Sequence, residues 1–330
     1  MLALEVIDDV SRLAEIQNEW SSFIGTMKGA TPFQLPQWLL TWWSHFGSGR
    51  LRVLVFSNDG AIAAIIPFFR HEWNGRRQMT LIGSGVSDYL EPAISPEHLP
   101  EVLDGLRAHL EADSEWDICD WQDLSGDTPL KRLEFKRGIA ASFRDDTPCS
   151  EIRLAGSFEE FWRKRPKQLR QNCRRDKARA EMAGSLEFAT GKRNHTELLE
   201  ELIDLHAARW QRRGETGVIA ANGSAEFLRD IVAEFSRRHI LQFFSLTFQD
   251  RIAAIILTFV YSNTSFFYLS GFDPAHETFG FGRMLLHHAL RHCFDAKYDS
   301  WNFLRGEEPY KFSWGAQRIP KCRIIVTRAS

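Results

Sequence analysis

Ile62-Ala63-Ala64-Ile65-Ile66-Pro67-Phe68-Phe69 returns late in the chain as Ile252-Ala253-Ala254-Ile255-Ile256-Leu257-Thr258-Phe259. Each copy follows a strand-like run, Leu51 to Phe56 in the first and Leu241 to Phe248 in the second. A polar turn joins run and copy, Asn58-Asp59-Gly60 in one case and Gln249-Asp250-Arg251 in the other. Further along, Leu106-Arg107 and Trp116-Asp117-Ile118 answer to Leu290-Arg291 and Trp301-Asn302-Phe303. Solenoid repeats recur every ~20–50 residues, far closer than this. The spacing instead predicts two copies of one α/β unit, each with a mixed sheet in which helices alternate with antiparallel and parallel strands. Ser125 to Phe158 reads as the hand-over. A first domain over residues 1–155 and a second over 156–330 are therefore expected.

A chain of 330 residues is long enough for two cores. Its 44% hydrophobic and 25% charged residues are globular values, and a net charge of −2 excludes a generally basic nucleic-acid binder. The five cysteines (Cys119, Cys149, Cys173, Cys293, Cys322) form no Cys-x-x-Cys or Cys/His pattern. Neither a disulfide framework nor a zinc site is expected. Met1 to Val10 lacks the positive region and apolar core of a signal peptide. No apolar stretch approaches the ~20 residues that span a bilayer. These readings predict a cytoplasmic protein that holds no metal.

Ser11 heads a helical pattern of Leu13, Ile16, Trp20 and Phe23 and is the expected N-cap. Ser157-Phe158-Glu159-Glu160 has the Ser-x-x-Glu form of a capping box. A basic connecting helix follows over residues 163–181, with nine cations from Arg163 to Arg179 against one acid, Asp176. Lys167, Arg170, Arg174 and Lys177 fall on one helical face, a stripe suited to phosphate-bearing ligands, RNA or an anionic membrane surface. A solvated face is the plain alternative.

Chemistry is best sought at four further places. Glu277-Thr278-Phe279-Gly280-Phe281-Gly282-Arg283 leads straight into the helix of Met284, Leu285 and Leu286. Glycines at such a turn bare backbone N–H groups beside a helix N-terminus and form a cradle for a diphosphate; a turn without a ligand is the alternative. The first half has Ser95-Pro96-Glu97-His98 at the matching place, so no cofactor is expected there. Leu304-Arg305-Gly306-Glu307-Glu308-Pro309-Tyr310-Lys311-Phe312-Ser313-Trp314-Gly315 crowds ionisable and phenolic groups past a buried strand, where open α/β sheets bind ligands. In Tyr268-Leu269-Ser270-Gly271-Phe272-Asp273-Pro274, Gly271 permits close backbone approach and Asp273 either caps a turn or meets substrate. Leu205-His206-Ala207-Ala208-Arg209-Trp210 places His206 and Trp210 on one helical face, where a core histidine is the alternative to a functional one.

The series Tyr268-x-x-Gly271-Phe272-Asp273-Pro274, the Gly280 turn before Leu285-Leu286, and Phe303-Leu304-Arg305-Gly306-Glu307-Glu308-x-Tyr310-Lys311-x-x-Trp314-Gly315 resembles the CelD-like, or BioF2-like, acetyltransferase family. That family belongs to the GNAT superfamily and is related to the FemAB transferases. Leu205-His206-x-x-Arg209-Trp210 and the basic helix are similar as well, and the resemblance is strongest from Ser157 to Gly315. It implies two tandem GNAT-like domains and transfer of an acetyl or acyl group from acyl-CoA to an amine or hydroxyl, in polysaccharide (cellulose) or cell-envelope biosynthesis. Gly280, Phe281, Gly282 and Arg283 would then seat the diphosphate, with Leu269 and Gly271 lending backbone N–H groups. The family pattern has Arg or Gln where this chain has Glu277, and Arg283 would restore the charge. Tyr310 takes the place of the tyrosine that protonates the leaving thiol, and Glu308, with Asp273 as second choice, is the candidate base. His206, Arg209, Trp210, Tyr268, Arg305, Lys311 and Trp314 are expected to meet substrate. Two further readings stay open: aminoacyl transfer from a charged tRNA, as in the FemAB relatives, and a non-catalytic GNAT scaffold.

Overall fold

The structure, a computed structural model, describes residues 2–136, 138–191, 194–212 and 223–328; the side chains of residues 209–212 lie outside that set. In chain order β1 (Ala3–Ile7), α1 (Val10–Glu15), α2 (Gln17–Thr26) and α3 (Pro36–Phe46) precede β2 (Arg50–Asn58), β3 (Ala61–Trp73), β4 (Arg76–Leu81) and β5 (Ala93–Ile94). Then come α4 (Leu99–Ala112), β6 (Ile118–Ser125) and β7 (Ile139–Arg153). The next elements are α5 (Phe158–Arg163), α6 (Lys167–Ala183), β8 (Leu186–Thr190), α7 (His195–Arg212) and α8 (Ser224–Arg237). The strands β9 (Leu241–Phe248), β10 (Arg251–Tyr261) and β11 (Thr264–Phe272) lead to α9 (Phe281–Asp295), β12 (Ser300–Arg305), α10 (Pro309–Ser313) and β13 (Gln317–Arg328).

The chain divides into two units, Met1–Pro148 with Ile319–Ser330, and Cys149–Arg318. The expected boundary near 155 thus moves a few residues earlier, and the last strand returns to the first unit. Its pairing explains this: β13 runs antiparallel to β6, from Lys321 against Ser125 to Thr327 against Ile118. Arg323 Nε donates to Asp120 at 2.6 Å, and Arg328 donates to the carbonyls of Leu110, Glu111 and Asp113. Within the first unit the strand order is β1-β2-β3-β4-β6-β13, with β5 beside β3. Within the second it is β7-β12-β11-β10-β9-β8, β7 contributing its residues from Cys149 onward.

The repeat is real at the level of single residues. In β3 the pairing with β2 skips Ala63, and in β10 the pairing with β9 skips Ala253, so both copies carry a bulge at the same alanine. Both hairpins turn through two left-handed residues, Asp59 and Gly60 in one and Gln249 and Asp250 in the other, the geometry that matches strand twist. One proposed correspondence shifts. Trp116 lies ahead of β6, its indole donating to Leu110 O at 3.0 Å, whereas Trp301 lies inside β12 opposite Ile152. The left-handed Asp123 (φ 56°) and Leu304 (φ 60°), each at a bulge near the strand's end, are the matching positions.

Local signals behave as their chemistry requires. Ser157 Oγ accepts from Glu160 N at 3.2 Å while Glu160 Oε2 accepts from Ser157 N at 3.4 Å, completing the capping box. At the N-terminus Asp9, rather than Ser11, is the cap, because its carboxylate accepts from Ser11 N at 3.2 Å. Among the described residues all five cysteines are buried thiols outside any disulfide, no group of side chains could hold a metal, and no helix is long and apolar enough to cross a membrane.

Burial on α9 has a thermodynamic consequence. His287 packs edge-on against Phe158 and Trp162, with ring centroids 5.0 and 4.6 Å away. Burial first, then the charges of Arg291, His288 and Lys177, push its imidazole down to about 4 from an ordinary 6.5. The folded protein therefore binds fewer protons than the unfolded chain between those values. Stability present above pH 6.5 should be lost as pH falls towards 4, by at most about 3 kcal/mol from this residue. Urea unfolding at pH 7 and 4.5 should show this loss, and His287→Gln should reduce it.

Candidate active site

The site arises where two parallel strands part. β11 and β12 pair only from Thr264 against Ser300 to Phe266 against Asn302. Beyond that, β11 continues to Phe272 on β10 alone, while β12 follows β7. Bulges accompany the parting. The β11–β10 register shifts around Tyr268, and β12 bends at Leu304, a left-handed non-glycine residue that would be costly without support. Buried Asn302 supplies it: its Oδ1 accepts from Leu304 N at 2.8 Å and its Nδ2 donates to Glu151 at 3.3 Å.

A cavity of about 480 Å³ opens in the gap, a size suited to a small-molecule site. Ala254, Ile255 and Ile256 of β10 and Phe267, Ser270, Gly271 and Phe272 of β11 form one side. Gly282, Arg283, Leu285 and Leu286 from the start of α9 form another, and Tyr310, Ser313 and Trp314 of α10 a third. The start of α6 closes it with Gln168, Leu169 and Asn172, preceded by Pro166. Among the described residues no carboxylate lines it.

The glycine turn is half open. Gly280 is left-handed (φ 68°), and a Cβ there would stand 2.6 Å from Asp176 Oδ2. A Cβ on Gly282 would meet only Phe272, at 3.6 Å, so this glycine and Arg283 face free space. Phe281 and Gly282 are the first helical residues, whose N–H groups have no carbonyl one turn back to receive them. Asp176, 1% exposed on α6, organises the charge: Arg283 Nη2 lies 3.1 Å from its Oδ2, and Arg179 and Arg175 lie 3.3 and 3.6 Å from its Oδ1. Three guanidiniums about one carboxylate leave the turn net positive. Glu277 is exposed and absent from the cavity wall.

The structure brings Gly271, Gly282, Arg283, Tyr310 and Trp314 to one cavity. The other predicted residues whose side chains are described lie off its wall. Glu308, 55% exposed at its side chain, is held at 2.9 Å by Lys311 Nζ. That ammonium is buried and donates to Arg305 O at 2.7 Å and Gly306 O at 3.3 Å, so Lys311 ties the end of β12 to α10 and does not face a substrate. Asp273 caps the short helix after it, accepting from Ala275 N at 2.8 Å and meeting His276 Nδ1 at 2.8 Å. His206 is buried where α7 lies on β11; a Cβ on Gly271 would stand 2.8 Å from Leu205 Cβ and 3.2 Å from His206 N. Gly271 is thus needed for close helix–strand approach. Tyr268 stacks on Phe259, centroids 4.7 Å apart, and Gly280, Phe281, Leu269 and the Arg305 side chain lie outside the lining. The side chains of Arg209 and Trp210 lie outside the described residues.

Sequence reasoning missed Gln168, Leu169, Asn172, Ser270 and Ser313. On α6 the signal existed: Leu169, Cys173, Asp176 and Ala180 recur at helical spacing, an inward face hidden by the louder cations. Replacing Lys311 by Met strands two backbone carbonyls and the Glu308 carboxylate. It should cost about 2–3 kcal/mol in chemical denaturation, against under about 0.5 kcal/mol for the exposed Lys164→Met.

Residues 167–312 match the family model for an acetyltransferase (GNAT) domain. No curated protein matches the chain by sequence. Among solved structures, FemX superposes with a TM-score of 0.65 at 10% identity, covering 97% of this chain and 96% of that one. A conserved protein of unknown function from Bacteroides thetaiotaomicron gives 0.64 at 12% identity, covering 99% and 100%. The C-terminal domain named for a lysylphosphatidylglycerol synthetase of Agrobacterium fabrum gives 0.56 at 13%, covering 95% and 92%. At these identities the likeness is one of fold. Residues 167–312 therefore match a GNAT-type acetyltransferase domain, within a chain whose two units repeat one α/β plan.

Proposed function

We propose that the protein is an acyltransferase that moves an acetyl or longer acyl group from acyl-CoA to an amine or hydroxyl. The observation that carries this reading is the cavity between the parted strands, with the open start of α9 at its side. The diphosphate of the donor would sit on the N–H groups of Phe281 and Gly282, beside Arg283, and the pantetheine arm along β11 past its last pairing with β12. Backbone N–H groups of β11 near Leu269 to Gly271 are suited to the oxyanion of the tetrahedral intermediate. Their pre-set direction is what lowers the barrier.

In the step itself the acceptor nitrogen or oxygen bonds to the thioester carbon, and the carbon–sulfur bond breaks. The acceptor gives up one proton and the leaving sulfur takes one. Tyr310 lines the cavity and is 43% exposed, and on this reading its hydroxyl protonates the sulfur. Among the described residues no carboxylate is on the lining, and on this reading the acceptor's proton leaves to solvent. Glu308 acts on this reading by fixing Lys311 and hence α10. The CelD-like motifs support a carbohydrate-linked or cell-envelope acceptor.

A second reading, aminoacyl transfer from a charged tRNA, draws on the exposed cations Lys167, Arg174, Arg175 and Lys177 of α6. It requires salt-sensitive tRNA binding that vanishes when Arg170, Arg174 and Arg175 become Glu. A non-catalytic scaffold would release no thiol from any acyl-CoA.

Calorimetric titration with acetyl-CoA should give a clear heat with the wild type and none with Gly282→Trp; equal heats would remove the proposed donor site. Thiol release from acetyl-CoA, with an acceptor or by slow hydrolysis, should fall about 100-fold in kcat in Tyr310→Phe with KM little changed. An unchanged kcat would take the proton-donor role from Tyr310.

A further inference from the structure

A second cavity of about 330 Å³ shares no lining residue with the first. On α9 it is built from Met284, His287, His288 and Arg291, a stripe at steps of three and four distinct from the Gly282–Leu286 face. On α6 it takes Cys173, Arg174 and Lys177, and Trp162 of α5 and Phe188 of β8 complete it. Three cations line it and, among the described residues, no carboxylate does. Arg291 is partly neutralised by Glu159 at 2.7 Å, and Lys177 reaches Glu181 at 3.6 Å. Arg174 pairs with no carboxylate among the described residues.

Like charges facing one space repel, and an anion between them relieves that repulsion. His287 feels the same field, since Arg291 and Lys177 help to keep it neutral. The opposite walls are apolar and aromatic, so a bare phosphate would satisfy the cations and leave the half-buried rings of Trp162 and Phe188 facing water. A ligand with a phosphate at one end and a flat ring at the other uses both halves. We propose that this cavity binds a nucleotide unit, its phosphate held by Arg174 and Lys177 and its base against Phe188 and Trp162. The site is separate from the acyl-transfer cleft and does not depend on that assignment.

Calorimetry on the full chain with AMP, adenosine and inorganic phosphate tests this. AMP should bind at least about tenfold more tightly than either fragment, and Arg174→Glu should weaken it about tenfold. Because AMP is also part of acyl-CoA, Gly282→Trp serves as the control and should leave AMP binding unchanged. Arg174 is exposed, and an unaltered unfolding midpoint confirms that its variant is folded. Displacement of AMP by uncharged tRNA would assign the nucleotide to an RNA, and failure to displace it to a free nucleotide. AMP binding no tighter than that of phosphate or adenosine, or lost in Gly282→Trp but kept in Arg174→Glu, overturns the proposal.

Discussion

Everything at the proposed reaction centre depends on two parallel strands ceasing to pair after three residues. β11 and β12 hold register through Phe266 and Asn302, then separate. A separated strand keeps its backbone N–H and C=O groups, which must be met by something other than a neighbouring strand. The parting is imposed from both sides. β11 bulges at Tyr268, and β12 is bent through left-handed Leu304 by the buried amide of Asn302. Past the bend, Lys311 gathers the carbonyls of Arg305 and Gly306, which sets α10 and so places Tyr310 and Trp314 on the wall.

The two units started from one plan and diverged at this gap. In the first unit the counterpart of β11 is broken into β4 and β5, and residues 82–92 between them fold into the opening. Trp38 Nε1 donates to Ser87 Oγ at 2.8 Å, Leu90 N to Asp123 O at 3.1 Å, and Ser125 N to the Glu91 carboxylate at 2.8 Å. Only about 10 Å³ remains beside Ile65 and Leu90. The backbone groups freed by strand separation are here satisfied by the chain itself. Where the second unit keeps room for a ligand, the first has closed its own cleft.

Helix α6 shows how a very polar segment becomes structural. Its cations look like a solvated surface, and most are, but Asp176 points inward and draws Arg283, Arg179 and Arg175 around it. An isolated carboxylate buried this deeply would be strongly disfavoured; three guanidiniums make it tolerable. The arrangement also holds Arg283 at the mouth of the cavity. The basic run therefore serves the first cavity through its inward acid and the second through Arg174 and Lys177.

The duplication, the alternation of helix and strand, the paired hairpin turns and the glycine turn before α9 were all legible in the sequence, because each rests on local geometry or on identical residues at fixed offset. Which ionisable residues face a ligand was not. Glu308, Asp273 and Lys311 are in motifs that read as reactive, yet a neighbouring backbone or side chain uses each of them, and only the folded contacts reveal it. Gln168 and Asn172 went unnoticed because they lie more than 80 residues from the rest of the wall, far along the chain and close only in space. Likewise the last strand's return to the first unit was invisible to local reading, since strand pairing is a contact between distant segments. The linear chain determined its elements and their duplication, for these follow from spacing. The tertiary structure alone decided which gap stayed open and which side chains reached it, because burial and pairing are properties of the assembled molecule.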